Sequence, residues 1–201
     1  MPPTSNKRPW HHILLDLGEF IVELVKVVLI SLVIILPVRY YLVQPFYVKG
    51  ASMEPTFLDH EYLLIDEISY RFEKPERGAV VVFRYPRDPR QFFIKRIIGL
   101  PGETVSIKNG RVSISRAEAT EELTLEEPYL ESSITTTSSD FSVTVPAGSY
   151  FLMGDNRNAS LDSRIFGPVS ERYLIGRVWL RAWPLDRWTT FEYSDGFTMP
   201  L

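Results

Sequence analysis

At 201 residues with 45% hydrophobic composition, the chain is long enough for one sizeable core and a smaller appended lobe. A formal net charge of -3 with scattered basic residues argues against a nucleic-acid partner, and the absence of cysteine excludes disulfides, thiol nucleophiles and thiolate metal sites.

Residues 1–19 read as a polar, proline-bearing tail. Residues 20–38 change character: Phe-Ile-Val-Glu-Leu-Val-Lys-Val-Val-Leu-Ile-Ser-Leu-Val-Ile-Ile-Leu-Pro-Val is close to the length that crosses a bilayer at about 1.5 Å per residue, and one transmembrane helix is expected there. Glu23 and Lys26, three residues apart near one end, can pair on one helix face or reach the headgroups. A buried helix of a soluble protein is the competing reading, because the uninterrupted apolar run, 27–38, is shorter than a full span. The run ends without a small-x-small cleavage site, so it is expected to be retained as an anchor. Lys7 and Arg8 before it are matched by Arg39 and Lys49 after it, which leaves its orientation open.

From 39 to 188 the pattern is that of a mainly β, antiparallel domain. A short strand is expected over 43–49, with Phe46 and Val48 on the face of Gly50 and Ser52, running into the tight turn Lys49-Gly50-Ala51-Ser52-Met53-Glu54-Pro55-Thr56. Short apolar runs at 62–65, 79–83 and 92–98, then 104–107 and 111–114 around Asn109-Gly110, read as a meander of strands. Residues 116–140 are acidic and then Ser/Thr-rich, the composition of an exposed insertion. Strands resume at 141–145, 149–153 and 176–182, and 189–201 read as a tail.

Three features carry chemistry. Lys95 lies inside Phe92-Phe93-Ile94-Lys95-Arg96-Ile97-Ile98-Gly99-Leu100-Pro101-Gly102-Glu103, sharing its strand face with Phe93 and Ile97. A buried ammonium there must find a carboxylate, escape to water or lose its proton. Ser52 offers a hydroxyl in a turn whose small neighbours let another backbone approach. Gly154-Asp155-Asn156-Arg157-Asn158-Ala159-Ser160-Leu161-Asp162-Ser163-Arg164 is a dense polar loop, but Arg157 and Ala159 stand where a calcium loop needs oxygen ligands, so no metal site is expected. His11 and His12 fall in the tail and His60 in a polar turn, which gives a Ser-His-Asp triad little support.

In their order, and behind an apolar segment, these stretches resemble the nucleophile box, lysine box and Gly-Asp-Asn-Arg box of the type I signal peptidases, over roughly residues 20–185. The resemblance implies the antiparallel β fold shared with LexA-like repressors, and a Ser-Lys serine protease that removes signal peptides from exported preproteins after small-x-small sites. It implies Ser52 as nucleophile and Lys95 as general base, with Ser160 orienting the lysine amine. Asp162 and Arg164 match the supporting ion pair, and Asp155 and Arg157 the box's structural positions. Shallow pockets for the small substrate residues would be lined by Phe46, Val48, Met53 and Ile94. The oxyanion would rest on the Ser52 N–H, since Gly50 stands where some members carry a donating serine. Without a suitable histidine the base must be a neutral lysine, and a drop in its pKa from about 10.4 to about 7 corresponds to roughly 5 kcal/mol against the charged form, within reach of apolar burial.

The same resemblance implies no cofactor and no metal, with secretory preproteins, the lipid bilayer and the protein-export translocon as partners. It places the chain in a bacterial-type inner or thylakoid membrane, single-pass, with the catalytic domain on the extracytoplasmic side. A self-cleaving repressor-type protease would share the dyad but lack the anchor. An inactive membrane-anchored β module that binds peptides or scaffolds a secretion complex is the reading from a different class.

Overall fold

The computed structural model describes residues 10–37, 43–116, 122–130, 136 and 140–191. The chain divides into two compact units, Met1–Leu42 and Val43–Leu201. The first contains helix α1, Trp10–Pro37, whose 28 residues extend about 42 Å at 1.5 Å per residue. Its apolar side chains, among them Phe20, Leu24, Val28, Ile30, Val33 and Ile35, are exposed on all sides. Among the described residues no helix is long and apolar enough to cross a membrane. Asp16, Glu19, Glu23 and Lys26 place charges along α1 up to residue 26, while 27–36 carry none.

The second unit is mainly antiparallel β. Its strands are β1 (Val43–Tyr47), β2 (Tyr62–Asp66), β3 (Val80–Arg84), β4 (Phe92–Gly99), β5 (Glu103–Lys108), β6 (Arg111–Arg116), β7 (Leu123–Thr124), β8 (Phe141–Thr144), β9 (Ser149–Met153), β10 (Val169–Ser170), β11 (Leu174–Trp183) and β12 (Thr189–Thr190), with a short helix α2 (Ser163–Phe166). Eight of them form one sheet in the order β1-β2-β11-β3-β4-β9-β10 with β12 on β11, and β7-β6-β5-β8 form a second. The expected strands are present. The expected simple meander is not, because β11 inserts between β2 and β3, pairing Val178 with Ile65 and Arg177 with Val81.

β3 shows why 79–83 is apolar without alternation. Val80 and Val82 join a core with Val48, Met53, Phe57, Leu63, Ile65 and Val178, while Ala79, Val81 and Phe83 join another with Ile97, Tyr150 and Leu152. Both faces of the strand are covered, so no position is left for a polar residue. The second sheet folds over a third core that contains Ile98, Val105, Ile107, Ile114 and Phe151. The buried pair Arg77–Glu103, at 2.6 Å, ties the turn before β3 to the start of β5.

The acidic segment departs from the expected exposed insertion. Leu125 and Thr136 are buried, and Glu127 keeps only 12% of its side-chain surface. Its carboxylate is buried because a cation from the polar loop meets it there.

Candidate active site

The turn after β1 and the start of β4 bring Ser52 and Lys95 together. Lys95 Nζ and Ser52 Oγ are hydrogen-bonded at 2.7 Å, and Nζ also donates to the Ile94 carbonyl at 2.8 Å. Lys95 is 3% exposed. Burial pushes its pKa down from 10.5 to about 8, against the opposing fields of Asp162 and Asp155. Of the three resolutions open to a lysine in an apolar strand, this site adopts neither a paired carboxylate nor escape to water.

The polar loop holds that geometry from behind. Asn156 N–H donates to the Ser52 carbonyl at 3.1 Å and the Asn156 amide to the Ala51 carbonyl at 3.1 Å. Gly154 is required at this crossing, because a Cβ there would fall 2.6 Å from Ser160 Cβ and closer still to Ser160 Oγ and the Ser52 carbonyl oxygen. The fully buried Asp155 accepts two bonds from the Arg96 guanidinium, 2.8 and 2.6 Å, and one from the Thr56 hydroxyl at 2.6 Å. Asp155 therefore spans all three boxes, joining the lysine strand to the serine turn.

Asp162 and Arg164 form the expected pair, with two bonds of 2.8 Å, and Asp162 also accepts from the Gly154 N–H at 3.1 Å and caps α2. Burial pushes the Asp162 carboxyl up, but its hydrogen bonds and charge pairing with Arg164 outweigh this and hold it below the ordinary carboxylate value. It is an anion under working conditions.

Three residues outside the three boxes, Glu127, Tyr129 and Thr136, complete the support. Arg157 is fully buried and pairs with Glu127, and it donates to the Tyr129 hydroxyl at 3.0 Å and to Thr136 at 3.1 Å. The Tyr129 ring lies under the Arg96 guanidinium, 3.8 Å from its centroid. Nothing in the acidic composition of the segment signalled this.

Other expected residues fare differently. Ser160 Oγ is buried close to Asp162, whose ionised form it favours, but among the described residues it makes no hydrogen bond of normal geometry, to Lys95 or otherwise. Gly50 has φ +92°, a left-handed conformation natural to glycine, and its N–H donates to Asp59 at 2.8 Å, so it is not an open oxyanion donor. His60 is exposed, hydrogen-bonds to the Tyr47 hydroxyl and pairs with Asp59. Met53 is a correction: it is fully buried and packs against the core of Val48, Phe57 and Leu63 instead of lining a pocket.

Phe46, Val48 and Ile94 do line a cleft, of about 520 Å³, that ends at Ser52 and Lys95. Its two rims are strand edges. Among the described residues β1 pairs only with β2, and β4 pairs with β9 only from Arg96 onward, so the second edge of Phe92 to Lys95 has no ladder partner. An extended peptide can use both.

Comparison with known proteins agrees with this site. The family model described as "Signal peptidase, peptidase S26" matches residues 21–183. The chain is 36% identical over 177 residues to "Probable signal peptidase I-1" of Synechocystis sp., covering 85% of this chain and 86% of that relative. It is 37% identical to "Signal peptidase I" of Leptolyngbya laminosa, covering 83% of this chain and 82% of the relative. It is 31% identical to "Signal peptidase IB" of Staphylococcus aureus over 195 residues, covering 89% and 94%. With its fold, its three boxes and these relatives taken together, the chain belongs to the signal peptidase family, peptidase S26.

Proposed function

We propose that the chain is a membrane-anchored endopeptidase that removes signal peptides from exported preproteins after small-x-small sites, through an acyl-enzyme on Ser52 with Lys95 as the base. The observation that carries this reading is the buried 2.7 Å contact between Lys95 Nζ and Ser52 Oγ. Once neutral, the amine accepts the hydroxyl proton as Oγ attacks the carbonyl carbon of the residue before the cut. The Ser52 N–H donates to the developing oxyanion. Collapse of the tetrahedral intermediate breaks the C–N bond, and the Lys95 ammonium returns its proton to the leaving amine. A water that gives its proton to the neutral amine then attacks the Ser52 ester, and as the C–O bond breaks the Lys95 ammonium returns that proton to Ser52 Oγ. Ser160, whose hydroxyl is not bonded to Lys95 in this structure, turns to the amine as a neutral partner during the cycle, while Asp162–Arg164 and Asp155–Arg96 hold the loop and the two strands in place.

The preprotein enters as an extended strand between β1 and the start of β4, with small side chains over Phe46, Val48 and Ile94. Anchoring is assigned to α1. Its exposed apolar side chains would be costly in water along the whole helix; the charge-free 27–36 segment, about 15 Å long, covers about half of the roughly 30 Å hydrocarbon, so the anchor also uses the apolar residues between Glu19, Glu23 and Lys26, whose charges reach towards the headgroups. The catalytic unit lies on the extracytoplasmic side of a bacterial-type plasma or thylakoid membrane, where preproteins emerge from the export translocon. Incubation of a preprotein with the full chain tests the reading: cleavage at the small-x-small site, lost in Ser52→Ala and Lys95→Ala, is expected. Wild-type cleavage by Lys95→Ala overturns the dyad.

A further inference from the structure

The cleft does not end at Phe46. On each strand of its floor the residues facing it alternate, and stepping away from Ser52 by one such interval changes their chemistry. On β1 the step runs from Phe46 to Gln44, on β3 from Val82 to Arg84, and on β4 from Ile94 to Phe92. Beyond β2 it runs from Leu63 through Ile65 to Glu67. The registers place these steps at one end of the sheet: Phe46 pairs with Leu63, Gln44 with Ile65, Val82 with Ile94 and Arg84 with Phe92. A second cavity, of about 380 Å³, lies there, lined by Gln44, Glu67, Arg71, Arg84 and Phe92 among others.

Phe92 is common to both cavities, with its ring 5.6 Å from Phe46 on one side and the Arg84 guanidinium 5.1 Å from its centroid. Glu67 Oε1 is buried and has no hydrogen-bond partner among the described residues. Burial pushes the Glu67 carboxyl up, against the pull of the Arg71 and Arg84 charges. A buried carboxylate oxygen beside two guanidinium groups is a site built for a group that can both donate and accept.

We propose that this cavity is a substrate subsite that takes a polar, uncharged side chain carrying both a donor and an acceptor, such as Gln, Asn, Ser or Thr, from the polar stretch between a signal peptide's apolar segment and its cleavage site. The inference rests on the signal-peptidase reading of the cleft. The donor of the side chain meets Glu67 and its acceptor meets Arg84 or the Gln44 amide. Phe92 separates this polar subsite from the apolar ones over Phe46 and Ile94. A lysine there is opposed by Arg71 and Arg84, and a leucine leaves Glu67 unsatisfied.

The test uses the full chain in detergent and synthetic preprotein peptides that keep Ala-x-Ala and differ only by Gln or Leu at one position, scanned over the fourth to eighth residues before the cut. At one of these positions the kcat/KM ratio of Gln to Leu is expected to reach about tenfold, the effect of one hydrogen bond left unmade. Glu67→Ala and Arg84→Ala bring that ratio towards one, and Glu67→Gln, which keeps the volume, reduces it. Because each ratio is internal to one enzyme preparation, partial misfolding of a variant does not alter it. Cleavage with no preferred position, or a preference unchanged in both alanine variants, overturns the subsite and leaves the peptidase reading standing. No cleavage of any peptide or preprotein overturns both.

Discussion

Replacing Gly154 by alanine adds a single methyl group at the point where the polar loop crosses the serine turn. The new Cβ would lie 2.6 Å from Ser160 Cβ and nearer still to the Ser52 carbonyl oxygen, where ordinary contact begins at 3.4 Å. Relief requires a displacement of at least about 0.8 Å. The neighbour on one side is backbone, which cannot rotate away, and Asn156 N–H holds that same carbonyl. The shift therefore passes to Ser52 itself. A misplacement of about 1 Å at reacting atoms costs on the order of 100-fold in rate, whereas overpacking by one methyl destabilises by about 1–3 kcal/mol. Gly154→Ala is accordingly expected to stay folded, as read by chemical denaturation, and to lose about 100-fold in kcat/KM on a preprotein. Activity within threefold of wild type would refute the claim that this crossing positions the nucleophile.

Lys95 should leave a mark on stability. Its pKa is about 8 in the folded chain against 10.5 ordinarily, so between these pH values the unfolded state binds more protons and stability rises with pH; at about 1.36 kcal/mol per pH unit the gain relative to Lys95→Met is about 3 kcal/mol, measured by denaturation at pH 8 and 10.5. A pH-independent difference between the two would place the lysine in water. Glu127→Gln leaves the buried Arg157 without its carboxylate and is expected to cost about 3 kcal/mol, and a loss under 1 kcal/mol in urea unfolding would make the acidic segment the exposed loop its composition suggests. Ser160→Ala removes a buried hydroxyl without a hydrogen bond, so stability should hold within about 1 kcal/mol while kcat falls by at least about tenfold. An unchanged kcat would remove Ser160 from the mechanism.

What the sequence revealed depends on the kind of signal. Ser52, Lys95 and the 154–164 loop were legible because each breaks its local pattern. Strand positions followed from alternation and from Asn109-Gly110. The place of β11 between β2 and β3 was not legible, since pairing across more than a hundred residues leaves no local trace. Met53 was misplaced because a turn has no period from which to read its facing. Glu127 and Tyr129 were hidden by composition: an acidic, Ser/Thr-rich stretch reads as solvated until a buried cation such as Arg157 is known to meet it. The polar end of the cleft is intermediate, for Gln44, Arg84 and Glu67 follow from alternation only once the strand registers are fixed.

The dependence of kcat/KM on pH, measured with one preprotein from pH 6 to 10, tests the central claim most directly. If the neutral Lys95 amine takes the Ser52 proton, the rate rises about tenfold per pH unit and levels off near the folded pKa of about 8, and Lys95→Ala shows no such limb because its activity is lost. A rate that is flat across this range, or a Lys95→Ala enzyme that cleaves at the wild-type rate, would contradict it.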